Sequence, residues 1–206
     1  MEVYSTEEQQ VEAIKRFWKE HGNGIMAGTV IGLAGIYGWH WYSDHQLEQQ
    51  EASSAHYAAV MKEVDGGDVK AGEAFIKSDA AGQYPALMAA VLAKKAADKG
   101  DLDKAIGYLE QGIAHTKNAE LTAIYSLRMA RIQLAKGDTA GAKATVAKVT
   151  APAFKGEVQE LLGDIAVKEG DTAAARSAYQ LALTDEPGAS AVLNMKIQSL
   201  DSNKKG

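Results

Sequence analysis

The chain has 206 residues, 27 acidic against 22 basic side chains, a net charge of −5 and no cysteine. That is enough chain for one self-supporting domain plus a small additional segment. The absence of thiols excludes disulfide frameworks, cysteine zinc sites and thiol nucleophiles, and the acidic balance argues against a phosphate-neutralising nucleic-acid surface.

In chain order, the first element is a short helix. Ser5-x-x-Glu8 and Thr6-x-x-Gln9 both have capping-box spacing, and Val11, Ile14, Phe17 and Trp18 follow at helical spacing. Residues 1–20 therefore read as a cytoplasmic amphipathic segment, a collar on the membrane surface or a dock for a cytoplasmic partner. Between Glu20 and Asp44 there is no Asp, Glu, Lys or Arg. As a helix, the uncharged residues 21–43 would extend roughly 34 Å, the thickness of a bilayer's hydrocarbon core and its edges. Six glycines between Gly22 and Gly38 keep the hydrophobicity moderate, but Trp18 on one side and Trp39 and Trp41 on the other bracket the run. Amphipathic rings favour the headgroup layer, so a transmembrane anchor is predicted over residues 21–43.

Lys15, Arg16 and Lys19 precede the anchor, and the next basic residue after it is Lys62. The positive-inside rule then leaves the N-terminus cytoplasmic and exports the C-terminal bulk. A cleaved signal peptide fits less well, because the charged leader is long and the only downstream small-x-small pair, Ser53 and Ala55, is far from the apolar core. Gly24, Gly28 and Gly32 recur every four residues on one helix face, a spacing that suits close packing against another membrane helix; glycine is also simply common in such helices.

Residues 44–206 contain a repeat. Gly67-Asp68, Gly100-Asp101, Gly137-Asp138 and Gly170-Asp171 are separated by 33, 37 and 33 residues. Glycine ends one helix in the left-handed conformation and aspartate caps the next, so each dipeptide marks the turn of a helical hairpin. Five residues beyond each glycine stands a small residue, Gly72, Ala105, Ala142 or Ala175, where two helices cross closely. The last unit is the most complete, with Leu162-Gly163, Ala166, Ala175, Tyr179, Ala182 and Pro187. On these residues the chain resembles the tetratricopeptide-repeat family. The first unit, around Gly67, is degenerate with a short second helix. The longer interval places about four extra residues in a turn near His115 to Glu120. Pro85 and Pro152 start helices, and no stretch alternates with period two, so no sheet is expected. A ninth helix, from about Ala189 to Leu200, would cap the stack with Ala191, Leu193, Ile197 and Leu200 inward and Lys196 and Asp201 in water. The predicted class is all-α: one transmembrane helix, then an α-solenoid of about four hairpins and a capping helix.

No catalytic, cofactor or metal site is legible. The five histidines lack metal-ligand spacing, His40 and Asp44 are an unspecific pair, and nucleophile-elbow, phosphate-loop and dinucleotide motifs are missing. The expectation is a binding protein and not an enzyme. In a hairpin array the first helix of each unit lines the concave face. The repeat register puts Leu87 and Lys94, then Ile124, Leu127, Arg131 and Leu134, then Glu160, Asp164 and Val167 on that face. An apolar stripe with one arginine would suit extended apolar polypeptide, or would pack against the neighbouring hairpin.

Glu12 to Trp18 (Glu-Ala-Ile-Lys-Arg-Phe-Trp), the Gly24-x-x-x-Gly28 anchor and Lys168 to Tyr179 together resemble the YfgM family of ancillary SecYEG translocon subunits over nearly the whole chain. The resemblance implies a single-pass protein of the bacterial inner membrane with a periplasmic repeat domain. It implies association with the SecYEG translocon and with a membrane-anchored chaperone of prolyl-isomerase type, PpiD, and help in passing exported polypeptides to periplasmic chaperones. Contact with the response regulator of the Rcs envelope-stress system is a further implication. No functional residue is carried over by it. The alternative is an envelope scaffold organising cell-wall or division proteins through the same groove; a peptide-processing enzyme is a remote third.

Overall fold

A computed structural model describes residues 7–185 and 190–202, so Ser5, Thr6 and Pro187 lie outside the described residues. The chain divides into two compact units, 1–51 and 52–206. Every element is helical among the described residues: α1 (Glu7–Asp65), α2 (Val69–Ile76), α3 (Tyr84–Asp98), α4 (Leu102–Ala114), α5 (Ala119–Ala135), α6 (Thr139–Val146), α7 (Lys155–Glu169), α8 (Thr172–Asp185) and α9 (Ser190–Ser202). Pro152 opens a 3₁₀ turn, Pro152–Phe154, just before α7, and Pro85 stands in the first turn of α3.

In the first unit, α1 passes through residues 20–21 and 43–44 without a break. Ile25, Met26, Val30, Ile31, Leu33 and Ile36 are exposed on it. No helix among the described residues is long and apolar enough to cross a membrane. The glycines, and the histidine between Trp39 and Trp41, dilute the mean hydropathy of a stretch that carries no charge. Thr29 Oγ1 donates to the Ile25 carbonyl at 2.8 Å. Rings stack at both ends of the stretch, Phe17 on His21 and Trp41 on His45.

In the second unit the Gly-Asp turns share one bond pattern. Gly67, Gly100, Gly137 and Gly170 have φ between +79° and +105°, where a side chain would be strained. The aspartate N–H groups donate back to the carbonyls of Glu63, Ala96, Gln133 and Ala166, each at 2.9 Å. The aspartate carboxylates then accept from the first turn of the next helix, at Lys70, Lys104, Gly141 and Ala174. Each turn thus satisfies the free groups of both helix ends within a few residues. The longer interval is taken up between Ala114 and α5, where Asn118 caps α5 by accepting from the Leu121 N–H at 2.7 Å.

Packing follows the repeat. Ala105, Ala142 and Ala175 are fully buried and Gly72 is buried, as the crossings require. The core falls into three successive clusters: one centred on Phe75, Met88 and Leu92, one on Leu127, Leu161 and Ile165, and one on Ala175, Tyr179 and Leu193. α9 caps the last cluster with Leu193 and Leu200, while Ala191 is exposed. Lys196 is not in open water, contrary to its charge-based assignment. Its ammonium sits 2.7 Å from Glu160 Oε1 and 2.7 and 2.8 Å from the two Asp164 oxygens. Burial lowers its pKa, but the bonds to Asp164 and Glu160 outweigh that and leave it above the ordinary value, so the latch stays charged. Asp201 is likewise engaged, with Arg176.

Tyrosines bond across the array. Tyr125 OH donates to the Ala86 carbonyl at 2.8 Å, and Tyr108 OH donates to Glu73 Oε1 at 2.5 Å. Burial, then the Glu73 hydrogen bond, pushes the Tyr108 phenol from 10.0 up to about 12. Between those values the folded state keeps a proton that the unfolded state loses. The contribution is complete below pH 10.0 and is lost as pH rises through about 12. Alkaline titration of the full chain in detergent, followed by tyrosine near-ultraviolet dichroism, should show stability falling by up to ~1.4 kcal/mol per pH unit from this group. Tyr108→Phe should reduce the alkaline slope without abolishing it, because the Tyr179 phenol is raised as well; an unchanged slope would remove Tyr108 as one of its sources.

Candidate binding groove

The first helices of the hairpins share one exposed face in the second unit. On α3, Leu87, Ala90 and Lys94 recur at helical spacing. On α5, Arg128, Arg131 and Leu134 do the same, and on α7, Asp164, Val167 and Lys168. Three hollows follow one another along this face. The first, about 530 Å³, is lined by Tyr57, Leu87, Ala90, Lys94 and Arg128 among others. The second, about 300 Å³, shares Ala90, Lys94 and Arg128 with it and adds Arg131 and Ile132. The third, about 410 Å³, shares Arg131 and continues to Leu134, Leu161, Asp164 and Val167. Shared linings make them a single groove.

Six of the nine residues expected on the concave face line it: Leu87, Lys94, Arg131, Leu134, Asp164 and Val167. Leu127 does not. It is 0% exposed in the second core cluster, so it packs hairpin on hairpin. Ile124 is half-buried against the first cluster. Glu160 is held by Lys196 instead. The stripe read from sequence as apolar is therefore largely core, and its exposed edge is cationic. Arg128 is the residue the register missed. It stands three residues before Arg131, one turn away on the same face, and that spacing was its signal.

The groove's ion pairs are solvated. Lys94 meets Asp98 at 2.5 Å with both side chains mostly exposed, and Arg131 meets Glu157 at 3.3 Å. Such pairs contribute about 0–1 kcal/mol and exchange readily with other partners. Asp164 is occupied, accepting from Tyr179 OH at 2.7 Å as well as from Lys196; burial, then the Asp164 hydrogen bond and the Asp164 and Glu160 charges, raise the Tyr179 pKa. Among the described residues no group of three or more His, Asp or Glu is placed to hold a metal ion.

On α1, Lys15, Arg16 and Lys19 are exposed beside the uncharged stretch. A Cβ added at Gly24, Gly28 or Gly32 would meet nothing within 4 Å.

A family profile described as a tetratricopeptide repeat-like domain matches residues 15–202. The chain is 32% identical over 205 residues to a protein of Escherichia coli K12 named ancillary SecYEG translocon subunit, covering 97% of this chain and 99% of that one. A protein of the same name from Haemophilus influenzae is 32% identical over 179 residues, 85% of this chain and 88% of its own. One from Aggregatibacter actinomycetemcomitans is 29% identical over 179 residues, with the same coverage.

Proposed function

The chain belongs to the ancillary SecYEG translocon subunit family, with its tetratricopeptide repeat-like domain, and from that premise we propose that it is a tethered adaptor without enzymatic activity. The near-full-length similarity to named translocon subunits carries this reading. On it, the chain associates with the translocon, and residues 21–43 of α1 lie in the bacterial inner membrane. The N-terminus is cytoplasmic and the hairpin stack periplasmic. Exported polypeptides bind along the groove and pass to periplasmic chaperones, PpiD among the partners. The cytoplasmic segment 1–20 is the site for the Rcs response regulator.

Several features support the anchor although its mean hydropathy is modest. Six large apolar side chains from Ile25 to Ile36 are exposed together, and water is a poor solvent for such a surface. Thr29 has its hydroxyl satisfied within the helix, as lipid demands. The open face at Gly24, Gly28 and Gly32 would take a partner's membrane helix. Tethering then raises the groove's effective concentration near the channel exit, to about mM, so weak contacts suffice.

Photoreactive side chains at Gly28 and Leu87 of the full chain, in native membranes, test this. Adducts of Gly28 with translocon subunits and of Leu87 with exported chains in transit are expected. Adducts with cell-wall enzymes alone would replace the adaptor by an envelope scaffold.

A further inference from the structure

The middle hollow differs from its neighbours in charge. Its lining carries Lys94, Arg128 and Arg131 and no carboxylate, in a chain whose net charge is −5. Both flanking hollows include carboxylates, Asp65 and Asp98 in one and Asp164 in the other. None of these cations is held by a buried partner. Arg128 makes no ion pair among the described residues. Lys94 pairs only within its own helix, and its side chain is 76% exposed. The Arg131 bond to Glu157 is long, and its side chain is 48% exposed. Beneath them the α3 face is made of Ala90, Ala93 and Ala97, small residues that leave room for a chain to lie close.

We propose that this hollow binds an extended acidic peptide segment, with an Asp or Glu carboxylate among Lys94, Arg128 and Arg131 and an adjoining aliphatic side chain against the α3 alanines. The inference deepens the groove reading and rests on it. A guanidinium offers a carboxylate paired N–H donors, and charge-assisted bonds of this kind are about twice as strong as neutral ones. The apolar floor lowers the local dielectric and contributes contact area of its own.

The test uses the full chain in detergent and fluorescein-labelled decapeptides alternating Leu with Glu or Leu with Gln, acetylated and amidated at their ends, read by anisotropy. The Glu peptide is expected to bind at least ~tenfold more tightly than the Gln peptide, a preference that shrinks from 50 mM to about 500 mM salt as exposed charges are screened. Arg128→Gln and, separately, Lys94→Gln should each weaken the Glu peptide ~threefold to tenfold. Lys117→Gln, on an exposed loop away from the groove, should leave it unchanged. Circular dichroism confirms that each variant is folded. Equal binding of the two peptides would overturn the inference while leaving an apolar groove intact. Binding of neither would overturn it too, with the adaptor reading still judged by the Gly28 adducts. A preference for a Gln peptide with a free terminal carboxylate would move the occupant to a chain terminus and overturn the side-chain assignment.

Discussion

Gly163→Ala is expected to destabilise the repeat unit by roughly 2–4 kcal/mol, among the largest effects of any one-carbon change in the chain. A Cβ on Gly163 would fall within contact distance of the Tyr179 ring, against Cε1 and Cδ1. The ring cannot retreat at low cost. It is 2% exposed, and its hydroxyl is held 2.7 Å from Asp164, which also receives Lys196. Displacing it would therefore loosen α7 from α8 and the α9 latch together. Gly107→Ala is the control: Gly107 lies inside α4 with nothing within 4 Å of an added Cβ. It should be neutral or stabilising by up to about 1 kcal/mol, because alanine orders more cheaply in a helix. The measurement is a thermal melt of the full chain in detergent, with a drop of about 4–16 °C for Gly163→Ala. Trp18, Trp39 and Trp41 all precede residue 52, so tryptophan fluorescence would not follow this unit. Tyrosine dichroism or amide exchange of α7 and α8 is the appropriate probe. A melt unchanged to within 1 °C would refute the contact.

Leu127→Ala is expected to cost about 3–4 kcal/mol, because its side chain is wholly enclosed and a cavity would remain between α5, α6 and α7. Leu87→Ala and Val167→Ala, on exposed residues of the groove, should stay within about 0.5 kcal/mol. A groove residue shows the opposite profile, little effect on stability and a loss of partner capture. Comparing denaturant midpoints with Leu87 adduct yields separates the two roles. If Leu127→Ala left the midpoint unchanged, the core assignment would fail.

Most of the fold was legible because its determinants are local. A left-handed glycine followed by a capping aspartate is a statement about six residues, and the four turns follow from Gly67, Gly100, Gly137 and Gly170 alone. Alanine at the crossings was legible for the same reason. What sequence register could not decide was which side of the helix faces the core and which the groove, a difference of about 100° between consecutive residues. Leu127 and Arg128 are neighbours in the chain, yet one is enclosed and the other lines the groove. Lys196 escaped too, since its partners Glu160 and Asp164 are more than thirty residues away. The uncharged part of α1 was visible from its charge gap and flanking rings, but with its glycines no helix among the described residues is long and apolar enough to cross a membrane.

The uniform Gly-Asp turns bear on how the stack comes into being. Each closes both helix ends with bonds spanning no more than six residues, and each hairpin meets chiefly the hairpins beside it. Such short-range closure favours rapid, sequential acquisition of structure. Delivered N-terminus first, every pair of helices has its own completed seam before the following pair arrives, so the nascent array never waits for its distal end.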